Sequence, residues 1–446
     1  MNFEKYIDEI CQLIEINIER LTPKSWPKNI YYSMSTENLF KLTFEEYQRL
    51  FEIVEEISMD LNLEDKFPKK FLFDKLVTEV IIKSYNYSST TSEIKSNLKD
   101  RFQEFEDILN EELNDWIYFI PISGIVVEDK IDFGEISFYP FNLFKQEFLD
   151  YLINVKKMST DDWEYKIHYD ELDELKSFCF AKLTVNGTKE TSRDKALSKV
   201  NEFLSIVSFY KPLNYYGFGI MGEVLPLSSE IVIYSRNLDT FNILQKRTVR
   251  GYSFNLSESL EHMKKYHLDY LISLTNKINI SYVEKCLLNS LQWYYESVKI
   301  EVDFDKSTTE TTLASKDYYE HYSYFKLGIK LINLVSALES LLIFERHPVS
   351  KKILRRRFNF VMNYKNEEFH DYSDDFNEIY KLRNDIAHSN KLCNLIKFNI
   401  QKNTKLLNIF IYKFIELKLD YGGGFDNLDS KKDLERVYSN IAYKVL

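Results

Sequence analysis

Apolar residues recur at spacings of three and four along the first part of the chain, a pattern typical of amphipathic helices. A polar run from Ser84 to Ser92 interrupts this pattern and is typical of an exposed loop. The pattern therefore predicts a helical N-terminal region over residues 1–115. The segments that carry it are residues 3–18, 45–57, 71–82 and 102–113.

The pattern then changes to short runs rich in β-branched and aromatic residues, separated by glycine and proline, which is typical of strands and turns. These runs are residues 117–127, 134–141, 178–185, 230–235 and 248–256. One amphipathic helix is predicted among them, over residues 194–210. We expect an α+β middle domain over residues 116–255, with a sensing or regulatory role.

Helical spacing returns and continues to the end of the chain. The predicted helices cover residues 283–298, 324–344, 351–362, 374–388, 395–417 and 431–446. Short connections between such helices favour an antiparallel bundle, here over residues 256–446. The predicted fold class is therefore α+β and multidomain, but mainly α.

Composition and charge narrow the class of protein. The chain is 44 % hydrophobic, which is enough for sizeable cores, and its net charge of −11 argues against a protein that coats nucleic acid through its overall field. Its N-terminus has no apolar signal region, and its apolar segments are too short to span a bilayer. We expect a cytoplasmic protein with no membrane association.

Motifs for cofactors and metals are weak. The glycine pattern from Gly217 to Gly222 is followed by Pro226 and a strand-like run, whereas a dinucleotide loop opens a helix. The run Asp132-Phe-Gly134 lies between two strand-like segments, which favours a hairpin turn over a kinase metal site. The four cysteines are far apart and form no C-x-x-C pair. The sequence therefore predicts no cofactor and no metal.

The segment "KLRNDIAHSN", residues 381–390, carries the candidate chemistry. At 100° per residue, Arg383 falls near the middle of an apolar helical stripe, where a guanidinium needs a partner or an interface. Asn384 and His388 are four residues apart and share the adjacent flank. The stripe consists of Phe376, Ile379, Tyr380, Leu382, Ile386 and Ala387.

A carboxylate partner is available on an earlier helix. In "LVSALESLLIF", Glu339 lies at the edge of an apolar face that we expect to be buried, made of Leu334, Val335, Leu338, Leu341 and Leu342. An ion pair between Glu339 and Arg383 would satisfy both groups. Such a pair either belongs to a functional site or only joins two helices.

A basic segment precedes the Arg383 helix. Five cations stand within seven residues of an otherwise acidic chain: Lys351, Lys352, Arg355, Arg356 and Arg357. Such a run is usually a solvated helix face, but its position one helix before Arg383 makes it a candidate RNA-binding surface that docks phosphates.

These features together resemble the C-terminal domain of the HEPN superfamily, whose motif is Arg-x4–6-His, and most closely that of ApeA-like HEPN proteins of bacterial anti-phage defence. The resemblance rests on the order of a "SALESLL" helix, a basic segment, an "RNDIAH" helix and a long amphipathic helix, from Ser281 to Leu419. The β-rich region is similar only in layout, and residues 1–115 show no likeness.

The resemblance implies a metal-independent endoribonuclease that acts as a toxin or in abortive infection. Arg383 and His388 correspond to the motif residues, Asn384 to the polar residue that follows the arginine, and Glu339 to an acidic residue on an earlier helix. His388 would transfer protons as general acid or base, and Arg383 would stabilise the phosphorane. Cleavage would leave a 2′,3′-cyclic phosphate.

The resemblance also implies a homodimer that brings two motifs into one cleft, with RNA as substrate. Dimerisation would supply a second histidine, because one per chain is few for acid and base together. A phage-derived trigger is a further expected partner. The alternative is a non-catalytic HEPN-like protein that uses the bundle for dimerisation, RNA binding or other interactions.

Overall fold

The computed structural model describes part of the chain in detail. The described residues are 4–20, 44–60, 63, 66–84, 90–111, 113–154, 157–162, 166, 172, 175–176, 178–211, 219–220, 232–235, 254–277, 279–298, 313–344, 348–389, 396–422 and 428–440. Within these ranges some side chains are not described, those of residues 385–389 among them. The chain is mainly helical with a small antiparallel sheet, as the sequence predicts.

Packing divides the chain into two compact units, and the first contains Met1–Ile117, Thr184–Ala196 and Tyr234–Thr240. Its helices surround an apolar core in which Ile10 and Leu50 are fully buried. The helices are α1 (Glu4–Arg20), α2 (Phe44–Asp60), α3 (Lys69–Lys75), a π-helix (Leu76–Ile82) and α4 (Thr91–Glu111). These helices lie where apolar spacing predicts helices, while the bounds of a separate N-terminal region stay a prediction.

The second unit contains Tyr118–Leu183, Leu197–Ile233 and Phe241–Leu446. Whether residues 116–255 and 256–446 also fold as separate domains stays a prediction. In the part of the chain that the structure describes, no helix combines the length and apolarity needed to cross a membrane.

The strands form one larger sheet in the order β3-β4-β5-β1-β6, with β7 also paired to β1, and a separate parallel pair of β2 and β8. The strands are β1 (Asn114–Ser123), β2 (Ile125–Val126), β3 (Ile131–Phe133), β4 (Ile136–Tyr139), β5 (Cys179–Gly187), β6 (Gly219–Ile220), β7 (Val232–Ser235) and β8 (Phe254–Asn255). The Asp132–Gly134 run lies in the β3–β4 hairpin, where Gly134 has φ +67°, so the predicted turn is confirmed.

The described part of the β-rich region contains the predicted helix and, before it, a helix that apolar spacing was not used to predict. The predicted helix is α6 (Lys189–Tyr210), and the additional one is α5 (Phe141–Asn154). The buried residues of α5 recur with helical spacing, and this periodicity outweighs the strand preference of its aromatic residues. They are Phe144, Phe148, Tyr151 and Leu152.

The remaining helices follow in chain order. They are α7 (Leu256–Lys265), α8 (Leu268–Thr275), α9 (Tyr282–Val298), α10 (Leu313–Leu342), α11 (Lys351–Met362), α12 (Ser373–Ser389), α13 (Ile396–Gly422) and α14 (Lys431–Asn440). Each helix that the sequence predicts in this region is present. Helix α10 contacts α9, α11, α12 and α13, so it lies at the centre of their packing.

The five apolar residues predicted on α10 are all buried, which confirms its core face. Three aromatic rings, one from each of the next three helices, pack together in another part of the core. The ring of Phe358 on α11 lies 5.4 Å from that of Phe376 on α12 and 5.1 Å from that of Phe410 on α13. All three rings are fully buried. Phe358 therefore fixes α11 against both later helices.

Replacing Phe358 with Ala should destabilise the second unit by about 3–5 kcal/mol, because the change removes a buried ring and leaves a cavity. The matched control is Phe369→Ala, since Phe369 is 58 % exposed and its loss should cost less than about 0.5 kcal/mol. Urea unfolding monitored by circular dichroism compares the two variants. Equal effects would contradict the packing role of Phe358.

Candidate functional site

Side chains from α11 position the start of α12. The Asn359 amide donates to Asp371 Oδ1 at 3.0 Å and to Ser373 Oγ at 3.1 Å, and its Oδ1 accepts from the Tyr372 backbone N–H at 2.8 Å. Hydrogen bonds from Ser373, with a smaller contribution from the Arg355 charge, lower the pKa of Asp371. Asp371 therefore stays ionised and accepts hydrogen bonds at the beginning of α12.

The loop between the two helices is held by a second asparagine. The Asn363 amide donates to the His370 carbonyl at 2.8 Å, and its Oδ1 accepts from the His370 backbone N–H at 2.7 Å. Asn363 thus pairs with both backbone groups of one loop residue, as a neighbouring strand would. We call Asn359 and Asn363 the asparagine clamp, because they join the end of α11 to the start of α12.

Helix α12 is also tied to α13 by charge. Lys402 Nζ lies 2.9 Å from Asp375 Oδ1 and 3.0 Å from Glu378 Oε2. Hydrogen bonds to these two carboxylates raise the pKa of Lys402. Both acids precede the candidate residues on α12, so the helix is fixed in place before it reaches Arg383.

Arg383 is half-buried on α12, and the neighbouring Asn384 is exposed. Arg383 Nη1 donates to Asn384 Oδ1 at 3.3 Å, which is long for a hydrogen bond from a charged donor. Phe376, Ile379 and Tyr380 of the predicted apolar stripe are buried, and Leu382 is half-buried. The arginine therefore lies where the buried face of α12 meets the surface.

Glu339 is half-buried on α10, a helix that packs against α12. The expected ion pair between Glu339 and Arg383 is not formed, since neither side chain makes an ion pair with a residue that the structure describes. The expectation was wrong, because the packing of two helix faces does not determine which of their side chains meet. A third side chain lies beside both Glu339 and Arg383.

The third side chain is Tyr380. Burial raises the pKa of its hydroxyl, the nearby Glu339 carboxylate raises it further, and the Arg383 guanidinium lowers it. The hydroxyl is close to Glu339, but the contact falls short of a complete hydrogen bond. Sequence reasoning placed Tyr380 only in the apolar stripe. Its spacing of four from Asn384 is the signal that would have identified it as a neighbour of the site.

His388 lies within α12, one turn beyond Asn384, and its side chain is outside the described residues. The structure thus brings Glu339, near the C-terminal end of α10, close to Tyr380, Arg383 and Asn384 in the middle of α12. Among the described residues, no group of three or more histidine, cysteine or acidic side chains is arranged to hold a metal ion.

Four of the five basic residues on α11 reach the surface. Lys351, Lys352 and Arg356 are exposed and Arg355 is half-buried, while Ile353 between them is 43 % exposed. The Ser350 hydroxyl caps the helix by accepting from the Ile353 backbone N–H at 3.4 Å. We call Lys351, Lys352, Arg355 and Arg356 the basic face of α11.

Arg357 is the exception to the predicted RNA-binding surface. It is only 8 % exposed, and its Nη1 donates to the Leu342 carbonyl at 2.6 Å. Its guanidinium carbon lies 4.2 Å from the centre of the Phe344 ring and 5.2 Å from that of Tyr438. The side chain is thus buried, where it donates to a backbone carbonyl at the C-terminal end of α10, and it is not part of the basic face.

Comparisons of the chain with models of protein families, with curated proteins and with solved structures found no match. The HEPN assignment therefore stays a prediction that rests on the residues of α10 to α13.

Replacing Arg357 with Ala should lower the free energy of unfolding by about 2–3 kcal/mol, because a buried carbonyl loses a charged donor and two rings lose a cation. The matched control is the neighbouring Arg356→Ala, whose effect should stay within about 0.5 kcal/mol. Thermal unfolding of both variants measures the difference. A stable Arg357→Ala protein would mean that the buried contacts of Arg357 contribute little.

Proposed function

We propose that the protein is a metal-independent endoribonuclease of the HEPN type that acts in anti-phage defence or as a toxin. The observation that carries this proposal is the position of Arg383. Its side chain is half-buried on a fixed helix, lacks a carboxylate partner among the described residues, and adjoins the exposed amide of Asn384. A cation in this position is suited to bind a phosphodiester.

The proposed reaction needs few groups. His388 either accepts the proton of the ribose 2′-OH or donates a proton to the leaving 5′-oxygen, since imidazole does both near neutral pH. The histidine of a second copy, or a water molecule, makes the other proton transfer. Arg383 stabilises the charge that develops on the phosphorane, and Asn384 orients Arg383 or the RNA. The 2′-oxygen forms a bond to phosphorus as the bond to the 5′-oxygen breaks, which leaves a 2′,3′-cyclic phosphate.

The basic face of α11 supports RNA as the substrate. Helix α11 packs next to the helix of Arg383 and groups these cations on a chain whose net charge is −11, so the basic face would attract the RNA backbone by its local field. A homodimer would place two copies of α12 in one cleft and so supply a second histidine.

Purified protein should cleave single-stranded RNA in the presence of EDTA and leave 2′,3′-cyclic phosphate ends. His388→Ala should lower the rate by about 10²–10⁴-fold, because it removes the group that transfers protons. Arg383→Ala should lower it by about 10²–10³-fold through the loss of transition-state charge stabilisation. End analysis of the RNA products and single-turnover kinetics measure both effects.

Matched controls are His370→Ala and Lys381→Ala, two exposed residues outside the proposed site, and both variants should cleave at the wild-type rate. In cells, expression of the wild type should slow growth, whereas the His388 and Arg383 variants should not. Binding of RNA without cleavage would favour the non-catalytic alternative, and products without cyclic or 3′-phosphate ends would reject the mechanism.

The salt dependence of RNA affinity tests the basic face separately. Each of Lys351→Ala, Lys352→Ala and Arg356→Ala should reduce the slope of log K against log salt by about 0.7, because each removes one phosphate contact to single-stranded RNA. Lys405→Ala, an exposed lysine on α13, is the control and should leave the slope unchanged. Filter binding between low and moderate salt gives the slopes, and equal slopes for all variants would exclude α11 from the RNA-binding surface.

A further inference from the structure

The Tyr380 hydroxyl is an unusual feature of the bundle interior. Tyr380 is 8 % exposed, its hydroxyl oxygen is fully buried, and that oxygen completes no hydrogen bond with a described residue. Buried tyrosine hydroxyls usually have a partner, since desolvating this group without one costs about 1–3 kcal/mol. The position therefore needs an explanation that packing of the ring does not supply.

The spacing along α12 connects Tyr380 to the proposed site. Tyr380, Asn384 and His388 follow at intervals of four, so they lie on one face of the helix in successive turns. Arg383 lies three residues after Tyr380 and is therefore also its neighbour. Tyr380 is thus the buried residue on the face of α12 that carries the exposed Asn384 one turn later.

Glu339 on α10 is the acceptor available to this hydroxyl. Burial and the negative charge of Glu339 together raise the pKa of Tyr380, which keeps the hydroxyl protonated and able only to donate to the carboxylate. The carboxylate therefore has two competing donors on α12, the tyrosine hydroxyl and the arginine guanidinium.

Which donor the carboxylate meets determines what Arg383 can do. A direct pair with Glu339 would neutralise the guanidinium and occupy its donors, leaving less to offer a phosphate. Among the described residues no such pair forms, and the Arg383 guanidinium donates to Asn384 Oδ1 at 3.3 Å. Within the described part of the chain, no carboxylate engages the other donors of this arginine.

We propose that Tyr380 is a positioning residue: its buried hydroxyl lies beside Glu339 and, as the nearer donor, keeps this carboxylate from pairing with Arg383, so that the guanidinium stays available to bind a phosphodiester. This role rests on the proposed function for its substrate, but it makes a structural claim of its own about Glu339 and Arg383. No chemical step is assigned to Tyr380.

Tyr380→Phe should therefore weaken binding of single-stranded RNA about fivefold, because Glu339 is released to form an ion pair with Arg383. Adding Glu339→Gln should restore the affinity, since a neutral amide cannot form that pair. A purely structural role for the hydroxyl predicts a loss that the second substitution does not restore. Tyr372→Phe, at the start of α12, is the matched control and should bind as the wild type does.

Binding is measured by fluorescence anisotropy in the His388→Ala background, so that cleavage does not change the RNA. Wild-type affinity in Tyr380→Phe, or equal affinity in Tyr380→Phe and Tyr380→Phe/Glu339→Gln, would overturn the proposal. Thermal unfolding of each variant accompanies the measurement. If Glu339→Gln restores the affinity of Tyr380→Phe without raising its melting temperature, the effect of Tyr380 on binding is separate from its effect on stability.

A second measurement needs no RNA. The NMR signal of the Arg383 side-chain Nε–H should show faster hydrogen exchange in the wild type, slower exchange in Tyr380→Phe, and faster exchange again in the double variant. Unchanged exchange across the three proteins would overturn the proposal. If the wild type neither binds nor cleaves RNA, the proposed function fails, while the exchange rates still decide the role of Tyr380.

Discussion

The burial of α10 among four other helices is the constraint on which the C-terminal region depends. Its apolar face is covered by α9, α11, α12 and α13, and this fixes where each of them presents its polar residues. Glu339 lies at the edge of that buried face, so its carboxylate is held near α12 without being fully desolvated. The proposed site is thus a consequence of core packing, because its acidic residue belongs to the helix that organises the core.

Much of the fold follows from apolar spacing alone. The helices α9 to α14 coincide with segments in which buried residues recur every three or four positions, since such segments must cover one face against a neighbour. Helix α5 shows the limit of this reasoning. Its aromatic residues, beginning at Phe141, also suit a strand, and only the periodicity of the buried set distinguishes the two structures.

The candidate site was predictable in part. Helical geometry correctly places Glu339 at the edge of a core face, and it predicts Arg383 near the middle of an apolar stripe, where the structure has it half-buried next to the buried Tyr380 and the half-buried Leu382. Spacing does not reveal which side chain of another helix lies opposite, and for this reason the roles of Arg357 and Tyr380 emerge only from the structure. The Arg357 guanidinium is buried against two aromatic rings although it belongs to a run of cations. Tyr380, which the apolar pattern counts as a core residue, brings its hydroxyl close to the charges of Glu339 and Arg383.

The asparagine clamp has a consequence for affinity. A loop that orders only when a ligand arrives costs conformational entropy at that moment, which weakens binding. Asn359 and Asn363 already hold the connection between α11 and α12 through bonds to Tyr372, Ser373 and His370. A ligand that contacts both helices therefore meets a preorganised surface, and its affinity reflects the contacts it makes rather than the cost of ordering the chain beneath it.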